Sequence, residues 1–410
     1  MKVLYVVGSC LTRNTSANMS HNGYVQGLLE NGCEVDILMA KSSWGKEDKG
    51  LPQWKEATYY VYESDSFIDR LRRKFSHANR AIQSSTNVSS ANTVVVDKKK
   101  VSFKKFIRNF IKKLSYCVFP LDPLYPLDKV WLNRAISFKG KKHYDLIVSN
   151  SSPAASHKMV EKLIVKGRVS YTRWIQIWED PWYFDIYGYH CEAVKNEEHR
   201  LLQVASEVYY VSPLTLYYQK ELFPDCAEKL KYIPLPALKY EAKVEKASGD
   251  NICSFGYFGD YFSVTRNLRP FYDALVRAGY NGFIYGDTDL ELTSTEKIEV
   301  RGRVTLEELS VVQGQTDILV HLCNRRGGQI PGKIYHYSAT CKPILFILDG
   351  TPQEVEILEE HFKKYNRYYF TNNTVESIQT CMKKIETDLS IKKFEVVGDF
   401  LPVNVVGKIL

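Results

Sequence analysis

The sequence predicts an α/β protein built from two Rossmann-like domains that face each other across a cleft. Strands and helices alternate through both halves of the chain, and a charged, polar stretch, KYEAKVEKASGDN, separates the halves. The length of 410 residues also exceeds what one ordinary hydrophobic core accommodates. Because ligands of open α/β sheets bind beyond the carboxyl ends of the strands, both halves are expected to present their loops to the same cleft.

The first half begins with a strand, a helix and a second strand. MKVLYVVGS has the pattern of a buried strand, a helix is expected from about Ser20 to Asn31, and EVDILMA follows as the second strand. The pattern weakens between Lys41 and Val96, where AIQSSTNVSSANT is typical of a loop. Further strands are predicted at DLIVS, SYTRWIQIW, VYYVS and KYIPLP, with a helix from Pro213 to Leu222 between the last two.

The second half repeats this alternation. The strands SFGYFG, FIYG, EVRGRV, DILVHL and PILFIL alternate with the helices NLRPFYDALVRAG, TLEELSVVQGQ and GKIYHYSATC, and a further helix runs from Pro352 to Tyr365. We therefore expect an N-terminal domain over residues 1–245, with a variable insert at about 41–140, and a C-terminal domain over residues 250–392. Residues 393–410 are expected to cross back to the N-terminal domain.

The composition is that of a globular protein, with 44% hydrophobic and 25% charged residues. No run of about 18 apolar residues occurs, so a spanning helix is not expected. The nine cysteines include no CxxC pair, which favours reduced thiols in a cytoplasmic protein. The N-terminus lacks a cleavage-site pattern, and its apolar run is better explained as a strand. No His/Cys ligand cluster stands out along the sequence, so no metal site is predicted.

The net charge of +8 is concentrated in one stretch, KKKVSFKKFIRNFIKK. Its aromatic and aliphatic residues follow helical spacing, and Lys104, Lys105, Arg108 and Lys112 occupy the other faces. This basic amphipathic helix predicts contact with an anionic membrane surface, and hence a peripheral protein on the inner face of the cell membrane. The alternative is a surface helix with a solvated lysine face. Nucleic acid is not an expected partner, because no binding motif accompanies the charge.

Five stretches carry a resemblance to a known family. They are LLENGCEVDIL, YDLIVSNSSPAASH, WEDPW, GYFGDYFSVTRNLRPF, and the segment from TDILVHL to IPGKIYHYSATCKPIL. In order, they resemble the early helix-strand unit, the Ser/Pro loop, the Asp-Pro-Trp turn, the start of the donor domain and the donor-binding segment of family 4 glycosyltransferases. These are retaining enzymes of bacterial polysaccharide clusters with the two-domain GT-B fold. The resemblance covers nearly the whole chain apart from about residues 41–140.

The resemblance implies a hexosyltransferase that moves a sugar from a UDP- or GDP-linked donor to a polysaccharide or lipid-linked acceptor, as in capsule or O-antigen synthesis. The family retains the anomeric configuration and works without a metal, so no cofactor is expected beyond the donor. Two alternatives stay open. One is a nucleotide-sugar 2-epimerase, which shares the architecture, and the other is a non-catalytic paralogue that binds a nucleotide sugar or scaffolds a biosynthetic complex.

A donor diphosphate needs positive charge, which Lys333 and Arg266 are placed to supply. Lys333 opens the helix after Gly332, and Arg266 precedes the first helix of the second half. A lysine at a helix start opposes the helix dipole unless an anion sits there, which favours a phosphate site over an ordinary surface residue. In the first loop of the other domain, Gly8 and Ser9 would let the backbone approach the diphosphate closely.

Two segments are candidates for binding the nucleoside. Arg303 and Val304 follow a strand and resemble the segment of the family that holds the nucleobase. Tyr285 and Gly286 end the preceding strand and are expected to line the same pocket. Ordinary turn chemistry is the alternative interpretation of both segments.

The donor-binding segment of the family usually carries two glutamates, which hold the donor sugar and the ribose hydroxyls. The aligned positions in this chain are Gly328 and His336, so neither carboxylate is present. A neutral imidazole still forms hydrogen bonds with a ribose hydroxyl. The amide of Gly328, or Gln329 beside it, is expected to reach the sugar.

The acceptor site is predicted around the turn WEDPW. Asp180 is the candidate catalytic residue, because a carboxylate beyond a hydrophobic strand can accept or orient the hydroxyl proton of the acceptor. An Asx turn is the alternative role of this aspartate. Glu179 is a second carboxylate, Trp178 and Trp182 are candidates for stacking on a sugar ring, and His157 is a candidate cleft contact.

Overall fold

The structure is a computed structural model that describes residues 1–13, 15–41, 48, 50–65, 124–188, 190–238 and 253–410. The predicted basic helix, with Lys104, Lys105, Arg108 and Lys112, lies outside these residues. Among the residues that are described, no helix is long and apolar enough to cross a bilayer.

Two parallel sheets organise the chain. The first has seven strands in the order β3-β2-β1-β4-β5-β6-β7, and the second has six in the order β10-β9-β8-β11-β12-β13. The strands of the first sheet are β1 Lys2–Val7, β2 Glu34–Lys41, β3 Thr58–Glu63, β4 His143–Asn150, β5 Ser170–Trp178, β6 Glu207–Tyr210 and β7 Leu230–Tyr232. Those of the second are β8 Ser254–Phe258, β9 Asn281–Tyr285, β10 Ile298–Arg301, β11 Ile318–Leu322, β12 Ile344–Leu348 and β13 Tyr368–Asn372.

Helices connect the strands, as parallel pairing requires. Those that matter below are α1 Ser16–Glu30, α2 Lys129–Ala135, α3 Ala155–Val165, α4 Glu192–Val204, α5 Pro213–Leu222, α6 Arg269–Ala278, α7 Leu306–Gln315, α8 Lys333–Ser338, α9 Pro352–Phe362, α10 Val375–Leu389 and α11 Pro402–Gly407. A 3-10 turn, Pro224–Lys229, leads into β7. The central strands are apolar on both faces, as shown by Val3 to Val7 of β1, which have no exposed surface.

Each sheet has a point where the strand order reverses. In the first sheet β1 lies between β2 and β4, and in the second β8 lies between β9 and β11. Loops that leave adjacent strands at such a point diverge and open a crevice at the carboxyl edge. The loops after β1, β4, β8 and β11 are therefore among those placed to form a site.

The last helix, α11, packs against α1 near the start of the chain. The side-chain amide of Asn31 donates to the carbonyl of Val403 over 2.9 Å. Gly27 of α1 lies so close to α11 that a Cβ there would be 2.2 Å from the carbonyl oxygen of Pro402. The final residues of the chain thus contact the helix that follows the first strand. The domain boundaries at 245, 250 and 392 stay predictions.

Candidate active site at the interdomain cleft

Three cationic side chains, Arg266, Arg303 and Lys333, gather around the loop that follows β8. The Arg266 guanidinium donates to the backbone carbonyl of Asp260 over 2.7 Å. Arg303 forms ion pairs with Asp260 and Asp287, its Nε lying 3.0 Å from Oδ1 of Asp260. Burial raises the pKa of Asp260, but the hydrogen bonds from Arg303 and from the N–H of Asp287 outweigh it and hold that pKa below its usual value. The two carboxylates balance two of the three cations, so the cluster keeps an excess of one positive charge.

Lys333 is the cation of this cluster that has no partner among the described residues, neither a hydrogen bond nor an ion pair. Burial lowers the pKa of Lys333 to about 8; the Asp260 carboxylate opposes the shift, and the charges of Arg303 and Arg266 add to it. A half-buried ammonium beside other cations favours an anion as its partner. Because α8 has only six residues, its helix dipole contributes less to anion binding than the position of Lys333 at the helix start predicted. The cationic side chains contribute most of the attraction for an anion.

A chain of hydrogen bonds runs from this cluster across the cleft to Asp180. The Nε of Arg266 donates to Oδ1 of Asn324 over 2.8 Å, and the amide of Asn324 donates to the carbonyl of Gln329 over 2.8 Å. The side chain of Gln329 then donates to Oδ1 of Asp180 over 2.6 Å, while its own oxygen accepts from the N–H of Ile186. We call these four side chains, Arg266, Asn324, Gln329 and Asp180, the cleft path. It joins the two halves of the chain through the loop that follows β11.

Two neighbouring carboxylates lie at the carboxyl end of β5. Burial raises the pKa of Asp180 to about 6; the Gln329 hydrogen bond opposes the shift and the charge of Asp185 adds to it. Burial raises the pKa of Glu179 to about 7, although His21, whose Nε2 lies 3.1 Å from Oε1, opposes the shift. Asp180 is half-buried at the cleft, and its Oδ2 accepts no hydrogen bond from the described residues. Asp180 therefore has an oxygen without a partner among the described residues, whereas Glu179 lies against His21 with a side chain that is 8% exposed.

Sequence reasoning missed two groups that hold this turn in place. Glu198 of α4 is fully buried, and its two oxygens accept from the N–H groups of Trp182 and Tyr183 over 3.1 and 2.7 Å. His21 of α1, also fully buried, contacts Glu179 and the carbonyl of Ser151. A buried Glu and a buried His are unusual in helices, but their sequence positions alone did not distinguish them from surface residues.

The structure corrects the expectation that Trp178 and His157 contact the acceptor. Both are in the core, and their rings pack against each other with centroids 4.3 Å apart. The indole N–H of Trp178 donates to Gln176, and Nδ1 of His157 lies 2.8 Å from the hydroxyl of Ser149. Neither ring presents a face to the cleft. Trp182 is half-buried and packs against Tyr125, with 5.1 Å between ring centroids.

Gly8 also has a different role from the predicted one. Its N–H donates to the hydroxyl of Ser156 over 2.8 Å, and a Cβ at this position would lie 2.7 Å from the ring of Pro153. The close approach that requires glycine is therefore to the loop after β4, and the amide is not available to a diphosphate. Ser9 is half-buried, and its hydroxyl donates to the side chain of Asn18 over 2.7 Å.

A cavity of about 400 Å³ lies beside the predicted nucleoside segments, at the carboxyl ends of β9 and β10. Its lining comprises Tyr261, Gly286, Asp287, Thr288, Val300, Arg301 and Gly302. Gly286 is confined, because a Cβ there would lie 1.9 Å from the carbonyl oxygen of Gly259. Three predicted residues do not line this cavity: Tyr285 is buried against Phe258, Arg303 points to Asp260, and Val304 packs on the core.

His336 and Gly328 replace the two glutamates of the family resemblance. Nδ1 of His336 is buried without a partner among the described residues, and burial, together with the nearby Lys333 charge, lowers the pKa of His336 to about 4. A neutral ring one helical turn from Lys333 suits a hydroxyl ligand. Gly328 instead touches the other domain: its carbonyl accepts from the hydroxyls of Ser212 and Thr215 over 2.6 and 2.8 Å. Its carbonyl is therefore occupied by the other domain, and the expectation that its amide reaches the sugar stays a prediction.

We expect Gln329→Glu to weaken the contact between the two halves of the chain, so that the cleft between them opens. The substitution removes the donor to Asp180 and places a third carboxylate beside Asp180 and Asp185, to which Gln329 lies within 2.6 and 3.5 Å. Loss of a hydrogen bond to a charged group weakens the closed arrangement by about 1.5–3 kcal/mol. Small-angle X-ray scattering should show a larger radius of gyration. The matched control is Gln379→Glu on the outer helix α10, and equal scattering from both variants would contradict the expectation.

Comparison with known proteins finds similar structures but no similar protein families or curated sequences. No protein-family model matches the sequence, and no curated protein matches it either. Among solved structures, HepE from Anabaena in complex with UDP matches with a TM-score of 0.52 and 12% identity, covering 100% of this chain and 98% of that one. A glycosyltransferase from Rickettsia africae matches with a TM-score of 0.50 and 11% identity, covering 99% of this chain and 96% of that one.

A third match is the trehalose-6-phosphate protein of E. coli bound with UDP-2-fluoro glucose. Its TM-score is 0.50 at 10% identity, and the match covers 100% of this chain and 95% of that one. UDP-N-acetylglucosamine 2-epimerases also match, with TM-scores of 0.42 to 0.47. At such identities the likeness shows the fold. The predicted fold class is confirmed: the chain is an α/β protein with the two-domain GT-B architecture.

Proposed function

We propose that the chain is a glycosyltransferase that moves a sugar from a nucleoside diphosphate to a hydroxyl of a saccharide or lipid-linked acceptor. The observation that carries the proposal is the cleft path, which leads from a cationic cluster in one half to a carboxylate with an available oxygen in the other. This arrangement suits a reaction that releases a diphosphate at one end and consumes a hydroxyl at the other. The fold shared with HepE, crystallised in complex with UDP, adds support.

In the proposed reaction the bond between the sugar and the diphosphate breaks, and a bond forms between the sugar and the acceptor oxygen. Negative charge grows on the leaving diphosphate, where Lys333 and Arg266 stabilise it. The acceptor hydroxyl gives up its proton, and Oδ2 of Asp180 is the group placed to accept or orient it. The neutral ring of His336 binds a donor hydroxyl near the diphosphate, and the cavity beside Gly286 takes the nucleoside.

The proposal extends to retention of the anomeric configuration and to a leaving group stabilised by side chains in place of a metal. Departure and attack on the same face of the sugar need no enzymic nucleophile, and the two cationic side chains supply charge where the diphosphate leaves. The donor is then a UDP- or GDP-linked hexose, and the acceptor belongs to bacterial capsule or O-antigen synthesis. Contact with an anionic membrane through Lys104, Lys105, Arg108 and Lys112 stays a prediction, as does a cytoplasmic location.

Incubation with a panel of UDP- and GDP-sugars, with and without lipid-linked saccharide acceptors, tests the proposal. We expect free nucleoside diphosphate to be released only when an acceptor is present, together with a product of higher mass that retains the donor configuration by NMR. Conversion of the donor to its C2 epimer without release would show an isomerase instead. Binding of a nucleotide sugar without turnover would show a scaffold, and an absence of nucleotide binding would exclude all three functions.

A further inference from the structure

A group of three potential metal ligands lies away from the cleft, between α4 and the 3-10 turn that leads into β7. His199 of α4, Asp225 and Cys226 place a nitrogen, a carboxylate oxygen and a sulfur within 4.8 Å of one another. Because the turn precedes the amino end of β7, the group lies toward the edge of the sheet opposite to the cleft. The ligands come from a helix and a distant turn, so no pattern of ligand spacing along the chain predicted a metal site.

One distance within the group matches a tetrahedral zinc site, and the nitrogen–oxygen distances are shorter than in such a site. Nε2 of His199 lies 2.9 and 2.8 Å from the two oxygens of Asp225, and Sγ of Cys226 lies 3.7 Å from Oδ2 of the same carboxylate. Zinc bonds of about 2.0–2.3 Å separate neighbouring tetrahedral ligands by roughly 3.4–3.7 Å. The sulfur-oxygen distance already fits, and the histidine needs to move outward by only about half an ångström.

Neighbouring side chains hold the ligands in position. The ring of His199 stacks on Phe223 with 5.0 Å between centroids and 13° between planes, and the amide of Gln203 donates to Oδ2 of Asp225 over 3.1 Å. Lys229, at the end of the turn, donates to the carbonyls of Leu202, Gln203 and Ala205 at the end of α4. The helix and the turn are thus fastened together independently of any ion, which prepares the ligand set for binding.

The set of donor atoms selects among metals. A thiolate disfavours Mg²⁺ and Ca²⁺, whereas one nitrogen, one oxygen and one sulfur are all ordinary ligands of Zn²⁺. Cys226 is only 2% exposed, but the side chains of His199 and Asp225 are 34% and 51% exposed. The side of the group at Cys226 is therefore shielded from solvent, and the side at His199 and Asp225 is accessible to a water molecule as the fourth ligand.

We propose that His199, Asp225 and Cys226 bind one Zn²⁺ ion, which clamps α4 to the turn before β7 and stabilises the first sheet. The thiolate and the carboxylate together neutralise the charge of the ion. The ion lies apart from the cleft path and takes no part in sugar transfer. The metal site can therefore be tested independently of the proposed function.

Cobalt substitution of the full-length reduced protein tests the site, because Co²⁺ bound to a thiolate gives a charge-transfer band in the near ultraviolet and intense visible bands when tetrahedral. We expect the wild type to bind one equivalent of Co²⁺ with both features, and Zn²⁺ to displace it. Cys226→Ser should lose the charge-transfer band and weaken zinc binding at least about 100-fold. The matched control is Cys381→Ser, a change at another buried free cysteine, which should keep both.

Two results would overturn the proposal. One is the absence of a thiolate band at one equivalent of Co²⁺ in the wild type, which would leave a surface ion pair between His199 and Asp225 beside a buried thiol. The other is a band that persists in Cys226→Ser, which would place the ion on a different cysteine. If Cys226→Ser does not fold, His199→Asn replaces it, since this half-exposed side chain is removable without opening the core; a cobalt spectrum unchanged by that substitution would equally refute the site.

Discussion

Replacing Lys333 with methionine is expected to lower the rate of sugar transfer by about 100- to 1,000-fold, the effect typical of removing one group that stabilises developing negative charge. The affinity for UDP or GDP should fall by about 10- to 150-fold, which corresponds to one charge-assisted hydrogen bond. Methionine preserves most of the volume of the lysine stem, so folding should be intact. The matched control is Lys383→Met, at an exposed lysine of α10, with nucleotide affinity measured by calorimetry. Equal affinities for the two variants would contradict the placement of the diphosphate.

The pH dependence of nucleotide binding sharpens this test. Burial lowers the pKa of Lys333 to about 8, so the ammonium loses its proton as the pH rises through that value. A diphosphate binds the charged form, and affinity should therefore be constant between about pH 7, where the terminal phosphate is ionised, and pH 8, and fall by up to about tenfold per pH unit above it. Lys333→Arg keeps the charge at all these pH values and should remove the slope. A slope that survives in Lys333→Arg would assign the titration to another group.

Asp180→Asn is expected to lower the transfer rate by about 100- to 10,000-fold, the range found for general acid–base groups. Asparagine retains an oxygen that accepts the Gln329 hydrogen bond, so the cleft path and the nucleotide affinity should be preserved. The loss should therefore be in kcat with little change in donor binding. A fall in donor affinity equal to the fall in rate would show that Asp180 holds the closed arrangement without acting on the acceptor.

The carboxylate of Asp180 also predicts that the rate of sugar transfer falls at acidic pH, which gives the pH profile an acidic limb. Burial raises the pKa of Asp180 to about 6, so the ionised form that accepts a proton is lost as the pH falls through that value, and kcat/KM should fall with it. Asp128 is the matched control, because burial also raises its pKa to about 6 and it lies at the start of α2, with no hydrogen bond to the cleft path among the described residues. Asp128→Asn should leave the acidic limb unchanged, and its disappearance in that variant would refute the assignment to Asp180.

The alternating strands and helices of the core were predictable because the strands are short apolar runs buried on both faces, as in ILFIL of β12. Polar loop residues also separate these runs in the sequence. The edge strand β3, TYYVYE, was missed since its alternation of exposed and half-buried residues resembles the irregular segment around it. The helix α1 begins at Ser16, earlier than predicted, because Thr15 caps it by accepting from the N–H of Asn18.

Sequence patterns predicted candidate site residues at the ends of individual strands, but they did not predict the contacts between those residues. Lys333, Arg266 and Asp180 were chosen because they follow strands, and each does lie at a carboxyl edge, while their roles stay predictions. A strand end does not reveal which face a side chain takes, which is why Trp178 was placed wrongly. The contact between Gln329 and Asp180 depends on how two halves of the chain approach each other, and no local pattern encodes that distance.

The cleft path has a consequence for the timing of the reaction. Asp180 is oriented by Gln329, whose loop belongs to the same half of the chain as Arg266 and Lys333. A nucleotide that draws this loop inward would therefore prepare the acceptor carboxylate before any acceptor arrives. Under the proposed function, such coupling favours binding of the donor before the acceptor.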